Sequence, residues 1–337
     1  MNTFFNNAQK SRNIDVCSIE NALIDLLVRA ENTDLKELGM QKGVMQLVDS
    51  ETQVRALANL GKLTTEVELG GSAANALRGM AILGAKTSYS SAIGRDKNGQ
   101  AFSNRLEELS ILNRLSVVEG ETGSCLVVVT PDGERTLNTF LGACRMYRKE
   151  FIPESDILNS KVFFTTGYVW DTENQVHAIE HALQVAQKGD VKIALDVADP
   201  FVVSRSGDRI RQLLKGMVSL VFANAEEAQM LVGLKGEKAA EFIGRDVEIA
   251  VIKDGAGGAY IANKDQVLHV PAPKVNVRDT TGAGDMFAGG FMFGLTQGLS
   301  LATCGAIATT LAADTITHMG VRLSADIPER VRKIIAQ

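Results

Sequence analysis

The sequence predicts an α/β protein built on a mainly parallel sheet, with a smaller β unit set into its first half. Two observations predict it. Apolar, β-branched runs alternate with helix-period stretches through the middle of the chain, and short strand-like runs between residues 114 and 140 interrupt that alternation. A chain of 337 residues that is 45% hydrophobic is also long enough to bury one large core.

Residues 14–19, 161–166, 192–197, 219–223 and 248–253 read as strands, and 172–188, 207–215 and 225–244 as helices between them. Alternation of this kind means βαβ units and a parallel sheet covered on both faces. Residues 114–119, 123–130 and 134–140 are shorter strand-like runs, broken by Glu119-Gly120-Glu121 and Pro131-Asp132-Gly133, and read as antiparallel hairpins. Hairpins inside an α/β chain suggest an appended flap or lid. Two long helix patterns follow, Ala283 to Gln297 and Ser300 to Met319, the second opened by a Ser300 N-cap and closed by Gly320.

A formal charge of −5 gives no sequence-wide attraction for nucleic acid or anionic lipid, so neither is expected as a partner. The opening MNTFFNNAQKSRN has no charged segment leading into an apolar core, and no apolar run reaches the length of a membrane span. A cytoplasmic location is the expectation. Cys17, Cys125, Cys144 and Cys304 are far apart and form no CxxC pair, which reads as reduced, buried thiols.

Chemistry concentrates at Asp279-Thr280-Thr281-Gly282-Ala283-Gly284-Asp285. Small residues lead straight into a helix pattern, so unpaired amides at the helix start form an anion site, and Asp285 falls in the first turn as a candidate base. A Walker A loop is absent. The dinucleotide pattern GxGxxG also fails, because Phe287 stands at the third glycine and Asp285 would repel a pyrophosphate. Phosphoryl transfer with a base in the loop fits better.

These residues resemble the second signature, DTxGAGD, of the PfkB family of ribokinases and adenosine kinases. Asn224-Ala225-Glu226-Glu227 is similar to the family's NxxE motif, although taken alone it is also a good helix start with an asparagine cap. Lys253-Asp254-Gly255-Ala256-Gly257-Gly258 resembles the nucleotide-side loop, with Gly255 and Gly258 matching and Lys253 where threonine or serine is frequent. Gly70-Gly71-Ser72-Ala73-Ala74-Asn75 matches the first signature, and Asn21 and Asp25 look like the acceptor clamp of nucleoside kinases. Thr130 to Thr136, Leu141 to Cys144 and Gly167 to Asp171 resemble bacterial adenosine kinases most.

The resemblance implies a ribokinase-like three-layer αβα domain over residues 14–337, a mainly parallel central sheet, a small β-sheet lid contributed by 24–69 and 114–142, and an N-terminal extension over 1–13. It implies transfer of the γ-phosphoryl group of ATP to a hydroxymethyl group, with adenosine to AMP, in purine salvage, as the leading case. A ribokinase-like sugar kinase and an inactive nucleoside-binding regulator stay open. Asp285 would be the base, with Gly282, Ala283 and Gly284 as the anion hole. Asn21, Asp25, Gly71, Ser72 and Asn75 would hold the acceptor. Asn224, Glu227, Lys253, Gly255, Gly258 and Thr281 would serve the nucleotide, Glu227 would reach Mg²⁺ through water, and Asp279 with Thr281 matches the family's K⁺ position. Met40, Val44, Met45, Phe140, Leu141 and Tyr168 are candidates for a flat base slot. Monomer and homodimer are equally compatible with the chain.

His177-Ala178-Ile179-Glu180-His181 also fits HxxEH, an inverted zincin pattern. Helix periodicity puts His177, Glu180 and His181 on a solvated face opposite Val176, Ile179, Leu183 and Ala186, and no third ligand follows.

Overall fold

The structure, a computed structural model, describes residues 4–61 and 65–337. Residues 1–3 of the expected extension and 62–64 of the expected lid segment lie outside the described residues. The strands are β1 (Ile14–Ile19), β2 (Leu23–Arg29), β3 (Met45–Leu47), β4 (Thr65–Gly70), β5 (Thr87–Gly94), β6 (Leu112–Val118), β7 (Thr122–Val129), β8 (Arg135–Gly142), β9 (Ser160–Thr166), β10 (Lys192–Asp196), β11 (Leu220–Asn224), β12 (Ile249–Lys253), β13 (Ala259–Ala262) and β14 (Val267–Val270).

Nine of them form one sheet in the order β14-β13-β12-β11-β10-β9-β1-β5-β6, parallel from β12 to β6 with an antiparallel edge at β13 and β14. Successive residues of a strand point to opposite faces, and here both faces are apolar. Val16, Phe164, Phe222 and Val251 pack on one side beneath the helices Ser72–Ile82, Ala283–Thr296 and Leu301–Thr315. Cys17, Phe163, Val221 and Ile252 pack on the other beneath Glu173–Lys188, Pro200–Gly216, Ala225–Val232 and Gly236–Ile243. The result is three layers, αβα. No helix among the described residues is long and apolar enough to cross a membrane.

The second sheet has the order β3-β8-β7-β2-β4. Its outer face, with Val28, Leu126 and Val128, is covered by Leu35, Leu38, Met40 and Ala56 from the short helices Asp34–Glu37 and Ser50–Ala58 and the chain beside them. Its inner face carries Leu27, Cys125, Val127 and Val129 against Leu137 and Met319.

Two expectations change. Residues 114–119 were expected in a hairpin with 123–130, yet β6 is the edge strand of the large sheet, parallel to β5. The Glu119-Gly120-Glu121 stretch therefore carries the chain between sheets. That crossing is fixed where Asp96 accepts hydrogen bonds from the Thr122 amide and hydroxyl, both at 2.7 Å. The last long helix ends at Thr315 rather than Met319. Beyond it the Ile316 carbonyl accepts from the Arg278 amide at 2.8 Å, tying this loop to the segment before Thr280.

Close helix packing sets the distance between the two halves of the site. A Cβ on Gly289 would lie 2.4 Å from the Ala76 carbonyl oxygen, so the helices Ser72–Ile82 and Ala283–Thr296 meet backbone to backbone only because position 289 has no side chain. Gly289→Val is expected to lower stability by about 1–3 kcal/mol, the usual range for overpacking. A thermal or urea midpoint indistinguishable from wild type would contradict that contact.

Candidate active site

The carboxyl ends of five neighbouring strands deliver polar groups to one edge of the large sheet. Glu20 follows β1, while Thr166, Asp196, Asn224 and Lys253 end β9, β10, β11 and β12. Ligands of open α/β sheets bind at this edge.

The phosphate half is the loop and helix around Gly282. This residue has φ 70°, and a Cβ there would meet Val321 at 2.6 Å, so glycine is required to turn the chain into the helix. The helix starts at Ala283, leaving its first-turn amides without carbonyls one turn earlier in the helix. Ala283, expected in the anion hole, directs its amide to the Thr280 carbonyl at 3.3 Å, and the Met286 amide closes the first turn on Gly282 at 2.9 Å. Asp279 is fully committed. Its carboxylate accepts from the Thr281 amide (2.9 Å), the Thr281 hydroxyl and the Gly320 amide (2.9 Å), which locks the loop against residues 316–322.

Asp285 is half-buried in the first turn and accepts from Asn75 Nδ2 at 3.0 Å. Burial pushes its carboxyl up to about 6; Asp196 pushes the same way, while Asn75, Lys253 and Ser72 favour the ionised form. Asn75 belongs to the first turn of Ser72–Ile82, opened by Gly71 at φ 93°. A Cβ on Gly71 would lie 2.6 Å from the Asn21 carbonyl and 2.9 Å from Glu20 Oε2. Asn75 Oδ1 is buried and has no partner among the described residues, and an acceptor hydroxyl would satisfy it.

Asp25 lies on β2 opposite Glu68, in the small sheet rather than at the end of the first strand, and Gly70 gives its carboxylate room. It is half-buried and accepts no hydrogen bond from the described residues. Burial, then Asp285 and Glu68, push its carboxyl up to about 7, against Arg78 and Arg135. Asp285 thus acts on Asp25 from the other half of the site.

Asn21 is different. Its Oδ1 accepts from Gln175 at 2.8 Å and its Nδ2 donates to the Tyr168 carbonyl at 3.2 Å, so its amide is occupied by protein. Asn224 and Glu227 form a capping box: Asn224 Oδ1 accepts from the Glu226 and Glu227 amides at 2.9 Å, and Glu227 accepts from the Asn224 amide at 2.7 Å and from its side chain. Burial pushes the Glu227 carboxyl up to about 7, with Lys253 opposing and Asp196 adding to the rise. Gly255 lies exposed in the turn between β12 and β13, and Gly258, at φ 95°, tightens that turn where a Cβ would clash with the Val270 carbonyl at 2.0 Å. Of the slot candidates, Met40 packs on the outer face of the small sheet, away from Asp25. Leu27, Val127 and Leu137 stand on Asp25's side instead, beside Met319. His177 and Glu180 sit on an exposed helix face, where Glu180 pairs with Arg209 at 3.6 Å and His181 with Glu154 at 2.7 Å.

Three residues escaped sequence reasoning. Arg135 of β8 donates to the Thr281 hydroxyl at 2.8 Å, bringing the small sheet onto the anion loop. Asp196 holds Lys253 Nζ at 2.8 Å. Glu20 is buried and accepts from the Ala73 amide at 3.2 Å and the Thr166 hydroxyl at 3.4 Å. Burial and Asp285 push its carboxyl up to about 8. The available signal was common to Glu20 and Asp196: a lone acid at the end of an apolar strand.

Glu20, Asp25, Glu227 and Asp285 keep protons in the folded chain at pH values where unfolded carboxyls have lost them. Their contribution is therefore complete below the unfolded value and lost as pH rises through about 6 to 8. Asp96 and Asp132, held low, titrate below that window. The melting temperature should fall between pH 5 and pH 8.5 at fixed ionic strength, and Glu20→Gln should flatten the alkaline end of the fall. A melting temperature that climbs across the window, or an unchanged profile in Glu20→Gln, would refute the assignment.

Comparison with known proteins identifies the fold and the family. The crystal structure of adenosine kinase from Sinorhizobium meliloti superposes with a TM-score of 0.88 at 31% identity, covering 95% of this chain and 99% of that one. A probable sugar kinase from Rhizobium etli CFN 42 superposes equally well, with a TM-score of 0.88, 30% identity and coverage of 96% and 98%. Ribokinase of Haemophilus influenzae is 27% identical over 274 residues, 79% of this chain and 86% of that protein. The model of the pfkB family carbohydrate kinases matches residues 48–328, and the chain belongs to the PfkB family, with its ribokinase-like α/β fold.

Proposed function

We propose that this kinase transfers the γ-phosphoryl group of ATP to the hydroxymethyl group of a nucleoside, with adenosine as the leading acceptor. The observation that carries the reading is the 3.0 Å hydrogen bond between Asn75 and Asp285, which joins the acceptor helix to the anion loop at one carboxylate. The acceptor oxygen attacks the γ-phosphorus while its proton passes to Asp285. The bond to the oxygen bridging the β- and γ-phosphorus breaks, and its electron pair leaves with ADP. First-turn amides around Gly282 and Gly284 face the charge that develops, Asp25 and Asn75 hold the acceptor, and the small sheet acts as a lid that excludes water.

Mg²⁺ neutralises charge on the β- and γ-phosphates when bound. No three His, Cys, Asp or Glu side chains gather to hold a metal among the described residues, and both Glu227 oxygens are held by Asn224. Asn224 and Glu227 would therefore hold such an ion through water rather than directly. A K⁺ ion near Asp279 would find that carboxylate already engaged by three donors.

The nucleoside reading draws on the identity with the Sinorhizobium adenosine kinase and on the apolar patch of Leu27, Val127, Leu137 and Met319 beside Asp25. The probable sugar kinase from Rhizobium etli, at nearly the same identity, keeps a free sugar as the second reading. Rates of ADP release with adenosine, inosine, ribose and fructose separate the two. Adenosine is expected to give the highest kcat/KM, and equal or faster turnover of ribose or fructose would overturn the nucleoside assignment.

A further inference from the structure

We propose that Lys253 is a further catalytic residue of this kinase, its ammonium binding the γ-phosphoryl group and neutralising the charge that gathers on it during transfer. The inference rests on the phosphotransfer reading given above and extends it to a residue that sequence comparison left at the nucleotide side.

Lys253 ends β12, in register with Asn224 on β11. Its side chain is 15% exposed, and Nζ donates to Asp196 Oδ2 at 2.8 Å. A Cβ built on Gly284 would lie 3.2 Å from that nitrogen, so the ammonium rests against the first turn of the helix Ala283–Thr296. Burial works against its charge, but Asp196 and Glu227 outweigh that and hold the lysine above its ordinary value.

This placement is unfavourable for a purely structural ion pair. The start of a helix is its positive end, where a cation loses rather than gains, by about 0.3–1 kcal/mol in exposed cases. Burying the pair adds a desolvation cost. On the other side of the same loop, Arg135 donates to the Thr281 hydroxyl at 2.8 Å. Three positive features from separate elements therefore converge: the β8 guanidinium, the β12 ammonium and the helix start. A phosphoryl group bound at this loop would meet all three, which is the arrangement that stabilises it during transfer. Lys253 gives up no proton in the step. The acceptor's proton goes to Asp285 and the leaving electron pair to ADP, while the ammonium stays a fixed cation. Asp196 is the positioning residue that keeps it over the first turn.

Steady-state kinetics on the full chain with ATP and adenosine, alongside melting curves, test this. Lys253→Met is expected to lower kcat on the order of 10²- to 10³-fold, the range seen when one preorganised charge-stabilising group is removed, with the KM for adenosine changed less than about threefold. Lys253→Arg should regain at least about tenfold of the loss. The double variant Asp196→Asn/Lys253→Met removes both charges, so it leaves no unpaired buried carboxylate at this pair and separates folding from catalysis. It is expected to stay as slow as Lys253→Met. Recovery of the double variant to within about threefold of wild type would reduce Lys253 to the neutraliser of Asp196 and overturn the proposal, as would near-normal kcat in Lys253→Met. If the wild-type chain forms no ADP with any acceptor in the panel, the kinase reading itself fails; if wild type is active and only the Lys253 effects are missing, that reading stands.

Discussion

Asp285→Asn is expected to lower kcat about 10²- to 10⁴-fold, the contribution of a positioned general base, while changing the KM for ATP little. The amide keeps the size of the side chain and can still hydrogen-bond to Asn75 after that residue's amide flips, so the helix pair remains packed. What it loses is the ability to take a proton. Because burial raises the Asp285 carboxyl to about 6, the wild-type kcat/KM should rise through pH 6 as the base ionises and then level off. The residual rate of Asp285→Asn should lack that limb. Near-normal turnover in the variant would remove Asp285 from the chemistry, and an unchanged acid limb would assign the limb to another group.

Arg135→Met is expected to lose about 10²- to 10³-fold in kcat, as Lys253→Met is, which is at or below the low end for an arginine that acts on a transferring phosphoryl group. The guanidinium reaches the loop from the small sheet, bonded to Thr281 at 2.8 Å, and on the proposed function it would couple lid position to charge stabilisation. Thr281→Val separates the two roles. It deletes the hydroxyl that Arg135 holds, and with it one of the three donors on Asp279, but leaves the guanidinium free to meet phosphate, so it should cost less than Arg135→Met. Equal losses in the two variants would make the contact a latch and nothing more.

Several parts of this site were legible because their chemistry is local. The loop from Asp279 to Asp285 carries its glycine, its helix start and its acid within seven consecutive residues, and Gly71 to Asn75 is equally compact. The alternation of buried strands and amphipathic helices was legible for the same reason. β6 was misread because an edge strand of the large sheet exposes one face, and its alternating pattern is the one an antiparallel hairpin would show. Asn21 was read as a ligand group because its consumers, Tyr168 and Gln175, lie far along the chain and reach it only in the fold. Arg135, Asp196 and Glu20 were missed on the same ground: the first meets its partner 146 residues away and the second 57 residues away. The third matters through burial beside Asp285, which no local pattern encodes. Sequence spacing displays what a turn or a helix start brings together; strand order and sheet closure bring together the rest.

On the proposed function one carboxylate, Asp285, joins an acceptor hydroxyl to a phosphoryl group bound at the same helix start. Incubation with ATP carrying a labelled γ-phosphorus, in the presence of adenosine and Mg²⁺, tests it most directly. The expected result is label in AMP, formed one for one with ADP and lost in Asp285→Asn. Label appearing only in inorganic phosphate, or in AMP at an undiminished rate in Asp285→Asn, would contradict it.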